Sequence, residues 1–235
     1  MNQKIPTRLV LFDIDGTILL GGPLWKDCFI GALNHYFPDF DFPRISFNGK
    51  TDVQICREMM SASGLSEAEV EVNMHIVIEE YIRRAGTAID QRAHEIKLLP
   101  GIVELIENLS KQPDIFLGLL TGNVKKGAIA KLKSVGLDHF FKFGVYGDDH
   151  YDRYQLPALA QKRVKEDHGL EFSGKQIVII GDTIHDVNCG KSIGVRSIAV
   201  GTGRNVDQDE LRAQNPDYYF EDFSSVAAVI EAIIK

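Results

Sequence analysis

The chain has 235 residues, of which 44% are apolar and 25% charged, and its formal net charge is −7. This composition is typical of a globular protein and argues against a disordered, collagen-like or membrane protein. The acidic balance argues against nucleic-acid binding, which needs surplus Lys and Arg, but not against a small phosphorylated ligand, which needs only local positive charge.

The N-terminal stretch and the cysteines give no sign of export. Asp13 and Asp15 interrupt the first apolar run, which is unlike the apolar region of a signal peptide. No stretch approaches the roughly 18 uncharged apolar residues of a membrane-spanning helix. Cys28, Cys56 and Cys189 form no C-x-x-C pair and are odd in number. We therefore expect reduced thiols, a cytoplasmic location and no membrane partner.

A helical segment is predicted between the first strand, residues 9–12, and residue 97. Apolar residues recur at helical spacing over residues 25–37, 53–60 and 70–82, and Ser66 and Glu69 have the pattern of a capping box before the third helix. We interpret this segment as an insertion into the core. Because ligands of open α/β sheets bind beyond the carboxyl ends of the strands, the insertion would cover that edge as a lid.

Strands and helices alternate through the rest of the chain. Further apolar runs predict strands at 115–120, 143–146, 177–180 and 197–200, with a short edge strand at 218–220. Between these strands, apolar residues recur at helical spacing over residues 102–109, 128–135 and 156–164. Continuous apolar runs favour strands that are buried on both faces of a parallel sheet. The sequence therefore predicts an α/β fold, a doubly wound Rossmann-like sheet of residues 1–19 and 97–235 with a small α-helical cap of residues 20–96.

Polar residues directly follow three of the predicted strands. They are Asp13 and Asp15, then Thr121, Gly122 and Asn123, then Asp182 and Asp186. Because the carboxyl ends of parallel strands meet at one edge, we expect the four carboxylates to crowd around one point. Such like charges repel strongly unless a cation neutralises them, and a few oxygen ligands completed by water favour Mg²⁺. The sequence therefore predicts a Mg²⁺ site.

These motifs resemble those of the haloacid dehalogenase superfamily. The resemblance rests on D-x-D-G-T at 13–17, L-T-G-N at 120–123 and I-G-D-T-x-x-D at 180–186, and it covers essentially the whole chain. The insertion between the first two motifs, with F-N-G-K-T-D at 47–52, is similar to the phosphoglycolate-phosphatase-like branch with its helical cap. The resemblance implies a hydrolase core beneath a cap.

The resemblance also implies a mechanism. Asp13 would attack phosphorus and form an aspartyl-phosphate, and Asp15 would protonate the leaving oxygen and then deprotonate the attacking water. The implied Mg²⁺ site uses the Asp13 carboxylate, the Asp15 backbone carbonyl and Asp182, with Asp186 in support. The implied phosphate- and substrate-binding residues are Thr121, Gly122, Asn123 and Lys50.

One residue of the family pattern is missing. A Lys normally precedes the helix before the last motif, whereas residues 147–157 contain no Lys and one permanent cation, Arg153. A guanidinium suits two phosphate oxygens, so we expect Arg153 to take over the catalytic role of that Lys; the alternative is a surface Arg. Lys125 and Lys126 could supply the charge instead. His185, inside the last motif, either touches the site or lies in an exposed loop.

The leading hypothesis is a Mg²⁺-dependent phosphatase acting on a small phosphorylated metabolite, such as phosphoglycolate or a sugar phosphate. A carboxylate at position 15 favours phosphate chemistry, since resembling dehalogenases carry an aromatic residue there. A phosphate mutase of the β-phosphoglucomutase type, or a non-catalytic phospho-receiver or binding relative, remains an alternative. No coiled-coil pattern is present, and we expect a monomer or a weak homodimer.

Overall fold

The computed structural model describes residues 5–204 and 206–235. Residues 1–4, part of the N-terminal stretch that was not expected to be a signal peptide, and residue 205 lie outside the described residues. The strands are β1 (Arg8–Phe12), β2 (Leu19–Leu20), β3 (Lys97–Leu98), β4 (Ile115–Leu120), β5 (Gly144–Val145), β6 (Ile177–Gly181), β7 (Arg196–Val200) and β8 (Tyr218–Phe220).

The α-helices occupy the remaining regular segments. They are α1 (Leu24–Tyr36), α2 (Asp52–Ala62), α3 (Glu67–Arg92), α4 (Ile102–Ser110), α5 (Lys125–Ser134), α6 (Leu156–His168), α7 (Ile184–Cys189), α8 (Gln208–Ala213) and α9 (Val226–Ile234). Among the described residues, none of these helices has both the length and the apolar character needed to cross a membrane.

Six strands form one parallel sheet, in the order β5-β4-β1-β6-β7-β8. Along β1, Val10 and Phe12 pack into the core that includes α4, α5 and α9, whereas Leu9 and Leu11 pack on the opposite face with α6. Both faces of the sheet are therefore covered, which explains the continuous apolar runs of the strands. The predicted α/β, Rossmann-like fold is confirmed.

The register of the central strands aligns the segments that follow them. Phe12, the last residue of β1, pairs with Leu119 of β4 on one side and with Ile180 of β6 on the other. Just beyond this row, the Asp13 N–H donates to the Ile180 carbonyl at 3.0 Å. The motifs after β1, β4 and β6 therefore emerge side by side at one edge of the sheet.

Helices α1, α2 and α3 share a hydrophobic core of their own, in which the rings of Phe29 and Tyr81 lie 4.9 Å apart. The capping box predicted at Ser66 and Glu69 is present at the start of α3. This helix runs further than its predicted end at residue 82, because small residues continue its buried face there.

The two-residue strands β2 and β3 pair antiparallel and are too short to be read from the sequence. The division between core and cap at residues 19 and 97 stays a prediction.

The turn from β3 into α4 depends on Gly101, and this dependence can be tested. Its φ is +75°, and an added Cβ would lie 2.0 Å from the backbone carbonyl oxygen of Phe223. We expect Gly101→Ala to lower the free energy of unfolding by about 2 kcal/mol or more, since left-handed strain adds to a backbone clash. Urea unfolding measures the difference.

The matched control is Gly86→Ala within α3. A Cβ at that position meets no atom within 4 Å, and the backbone there is helical. Alanine should stabilise this helix by about 0.5–1 kcal/mol. Equal unfolding free energies for the two variants would contradict the steric role assigned to Gly101.

Candidate active site

A cavity of about 620 Å³ opens at the carboxyl edge of the sheet, between the strand ends and the helices of residues 24–92. Seven of the predicted site residues line it: Asp13, Asp15, Lys50, Gly122, Asn123, Arg153 and Asp182. Two others, Thr121 and Asp186, are fully buried behind the cavity wall and bond to residues that line it. The structure therefore brings all of the predicted site residues together.

Three buried carboxylates cluster at the floor of this cavity, where Asp13 and Asp182 line it and Asp186 lies behind them. Asp13, Asp182 and Asp186 each place an oxygen within 4.8 Å of the others. Burial raises the pKa of Asp13 to about 6, although Arg153 pulls it down. Burial and the charges of Asp186 and Asp13 hold the pKa of Asp182 well above its usual range. The three carboxylates therefore need positive charge beside them.

A tight turn after β1 brings the backbone against this cluster. Gly16 has a φ of +87°, and a Cβ there would lie 2.3 Å from Asp182 Oδ2. Thr17 Oγ1 donates to Asp182 Oδ1 at 3.0 Å, and Thr202 Oγ1 donates to the Gly16 carbonyl at 2.6 Å. The D-x-D-G-T motif thus both supplies Asp13 and fixes the orientation of Asp182.

The cluster fits a hard divalent cation. Its ligand atoms are all carboxylate oxygens, they are close together, and burial makes their mutual repulsion expensive without a cation. Mg²⁺ is the ion that small all-oxygen sites with room for water favour. Asp13 and Asp182 would be direct ligands, while Asp186 is held by Thr183, which donates to Asp186 Oδ2 from its N–H at 2.9 Å and from its hydroxyl at 2.6 Å.

Arg153 is buried inside the site rather than on the surface. Its Nη2 lies 3.4 Å from Asp13 Oδ2 and donates to Asp186 Oδ1. Although burial works against the charge, Asp186 and Asp13 raise the pKa of Arg153, so the guanidinium stays positive. Lys125 and Lys126, considered as alternative sources of charge, are exposed. Arg153 is therefore not the surface residue of the alternative, and its role in place of the missing Lys stays a prediction.

Asp15 is held by two side-chain donors, one from the segment after β4 and one from α5. Asn123 Nδ2 donates to Asp15 Oδ2 at 2.8 Å and to Thr121 Oγ1 at 2.8 Å. Lys131 Nζ donates to Asp15 Oδ2 at 2.6 Å and to Asn123 Oδ1 at 2.5 Å. The Asn123 side chain, predicted to bind substrate, is therefore also bonded within the protein.

Lys131 was missed by reasoning from sequence, although a signal for it exists. Its position on α5 falls on the same helical face as the buried Ala128 and Leu132, which is unusual for a lysine. Only 2% of this residue is exposed. A cation on an apolar helix face near a cluster of acids would have been a candidate for the site.

The first turn of α2 and the loop before it line one side of the cavity. The Asp52 N–H donates to the Gly122 carbonyl at 2.8 Å, and Asp52 Oδ2 accepts from the Val124 N–H at 2.9 Å. Lys50 Nζ, predicted to contact the substrate, donates to Glu58. Asp52 is thus a buried acid that joins the helical insertion to the segment after β4.

His185 lies beside the site rather than in it. Its Nδ1 is 3.2 Å from the Tyr154 hydroxyl, and its ring packs against Gly49 of the loop before α2. Burial, together with Arg153, lowers the pKa of His185, so the imidazole is neutral at pH 7. Its place is between the core and that loop.

One family model and several known proteins match this chain over most of its length. The family model described as "Haloacid dehalogenase-like hydrolase" matches residues 10–200. Pyrophosphatase PpaX from Halalkalibacterium halodurans is 25% identical over 224 residues, covering 94% of this chain and 95% of its own. Phosphoglycolate phosphatase from Aliivibrio fischeri is 24% identical over 236 residues, covering 95% and 96%.

Solved structures share the fold. A crystal structure of a predicted phosphoglycolate phosphatase from Haemophilus somnus superposes with a TM-score of 0.68 at 21% identity, covering 98% of this chain and 99% of that one. At this level of identity, the likeness concerns the fold alone.

The buried carboxyl of Asp52 gives a testable pH dependence. Burial raises its pKa from 3.8 to about 6, so the unfolded chain loses this proton near pH 4 and the folded chain near pH 6. Between these two pH values the folded state binds more protons than the unfolded state. The contribution of Asp52 to the free energy of unfolding therefore falls as pH rises. The free energy of unfolding of Asp52→Asn minus that of wild type should therefore increase by about 1–3 kcal/mol from pH 4 to pH 6.5 and then stay constant. Urea unfolding at each pH measures it, and a difference independent of pH would contradict the burial effect.

Proposed function

Since the chain belongs to the haloacid dehalogenase-like hydrolases, and is within that family a phosphate-ester hydrolase, we propose that it releases phosphate from a small metabolite with Mg²⁺ as cofactor. The observation that carries this proposal is the position of Asp13. This carboxylate lies beside a buried guanidinium and two further buried acids, at the floor of a cavity suited to a small ligand.

In the proposed first step, an oxygen of Asp13 attacks phosphorus and the bond to the leaving oxygen breaks. Asp15 gives its proton to that oxygen, so a neutral alcohol departs. Bound by Asp13 and Asp182, Mg²⁺ would supply positive charge for the oxygens of the phosphoryl group. Arg153 supplies a second positive charge close to Asp13, where negative charge is transferred.

In the second step, water attacks the phosphorus of the aspartyl-phosphate. Asp15, now ionised, takes a proton from that water, the bond from phosphorus to Asp13 breaks, and inorganic phosphate leaves. The same carboxyl thus acts first as acid and then as base. A hydrogen bond from Asn123 Nδ2 holds an oxygen of Asp15 at the cavity.

The rest of the cavity lining limits which leaving groups can fit. Aromatic and aliphatic side chains of the helical insertion form one part of it, and basic side chains form another. The apolar part is lined by Trp25, Phe29, Ile55 and Tyr81, and the basic part by Lys26, Lys50 and Arg204. This lining supports a compact substrate with an anionic or polar leaving group, as in the phosphoglycolate and sugar phosphates expected from the sequence. Pyrophosphate, which the name of one relative indicates, also fits this description.

A phosphate-release screen over phosphorylated metabolites, with Mg²⁺ present, tests the proposed function. We expect turnover of at least one compact substrate, and we expect Asp13→Asn to lower kcat by at least about 10³-fold, because the amide cannot form the intermediate. Turnover that survives in this variant would contradict the assignment of the nucleophile.

The same screen separates the alternatives. EDTA should abolish turnover and added Mg²⁺ should restore it, whereas activity that is indifferent to EDTA would contradict the metal site. A phosphate group that moves within the substrate, without release, would identify a mutase. Covalent phosphate that appears in one burst without turnover would identify a phospho-receiver. A cytoplasmic location and a monomeric or weakly dimeric state stay predictions.

Arg153 is expected to act on the transferring phosphoryl group. Arg153→Ala should lower kcat/KM by about 10²-fold or more, as removal of a charge-stabilising donor generally does. Arg153→Lys should recover part of the activity, because an ammonium keeps the charge without the second donor. Steady-state kinetics measure both variants; a kcat/KM for Arg153→Ala within about twofold of wild type would show that the guanidinium has no catalytic role.

A further inference from the structure

Lys131 is a buried cation to which the mechanism above gives no chemical step. It projects from α5 toward the cavity, and only 2% of it is exposed. Its Nζ donates to Asp15 Oδ2 at 2.6 Å and to Asn123 Oδ1 at 2.5 Å, and it lies 4.4 Å from the centre of the Trp25 ring. Each of these neighbours lines the same cavity.

The burial of this ammonium group needs a reason beyond packing. Moving an ammonium out of water is costly unless a charged partner compensates it. Among the residues that the structure describes, Asp15 is the only carboxylate that forms an ion pair with Lys131. An apolar side chain would fill the same helix face at lower cost, as Leu132 does beside it.

The geometry at Asp15 shows what the ion pair does. Its side chain is 37% exposed to the cavity, so packing alone does not fix its rotamer. Both donors, Lys131 and Asn123, meet the same oxygen, Oδ2. Within the described residues, Oδ1 is buried without a hydrogen-bond partner. Because Oδ1 is buried, Oδ2 is the oxygen left to meet a substrate, and it is the oxygen that both donors hold in place.

We propose that Lys131 is a positioning residue that holds the Asp15 carboxyl group at the leaving oxygen of the substrate. The inference rests on the proposed function, because it takes Asp15 as the acid that protonates the leaving group. Direct binding of the substrate by Lys131 is disfavoured. Two of its three ammonium protons point to protein acceptors, and the Trp25 ring covers the group on another side.

Two substrates of similar size separate this role from a general structural one. Phenyl phosphate has a poor leaving group that needs a proton, whereas p-nitrophenyl phosphate has a good one that does not. The ratio kcat/KM reports the steps up to departure of the leaving group, and so reports the work of Asp15 as an acid. For Lys131→Met we expect kcat/KM to fall by about 10²-fold with phenyl phosphate and by less than about threefold with p-nitrophenyl phosphate.

The matched control is Lys133→Met, which removes an exposed lysine from the same helix. It should leave both values of kcat/KM within about twofold of wild type. A double-mutant cycle with Asp15→Asn adds a second readout, measured with phenyl phosphate. Once Asp15 has lost its acid function, Lys131→Met should cost little more, because both changes remove the same step.

Several outcomes would overturn the inference. Equal losses with the two aryl phosphates would indicate a structural role, and a loss confined to substrates with an anionic leaving group, such as phosphoglycolate, would indicate that Lys131 binds the substrate. Unchanged kinetics would leave it without a role. If Lys131→Met does not fold, Lys131→Gln is measured against the same criteria. Failure of the wild type to release phosphate, or retention of activity in Asp13→Asn, would instead refute the proposed function.

Discussion

The constraint on which the site depends is the crowding of carboxylates at one edge of a parallel sheet. The register of β1 and β6 places Asp13 and Asp182 beside each other, and α7 adds Asp186 from behind. Three buried acids this close cannot all be ionised without positive charge. Arg153 provides part of it, and the position of the acids provides the ligands for a divalent cation that would supply the rest.

Positive charge reaches the site from two different elements, and each serves a different acid. Arg153 comes from the one-turn helix before α6 and lies beside Asp13 and Asp186. Lys131 comes from α5 and pairs with Asp15. The acid that attacks and the acid that transfers protons in the proposed mechanism therefore have separate partners. This separation lets the two carboxylates differ in orientation and role although only one residue lies between them in the chain.

The sequence predicted the fold and the main acids because both leave local signals. Buried strands give continuous apolar runs, so β1, β4 and β6 could be found, and parallel strands must end at a common edge. Asp13 and Asp182 directly follow such runs. Arg153 could be named because one segment holds a single permanent cation where the resembled family has a lysine. Each of these inferences needed only residue types and their order.

The tertiary structure decided what depends on distance between remote segments. Lys131 lies 116 positions from Asp15 in the chain, and no spacing rule joins them; only the packing of α5 against the sheet makes them neighbours. Asp52 likewise becomes a buried acid only because the first turn of α2 packs onto Val124. By itself, then, the sequence determined which carboxylates gather at the sheet edge, because topology fixes strand ends. Which cation meets which acid was decided by the packing of helices, since the burial of a charge is a property of the assembled fold.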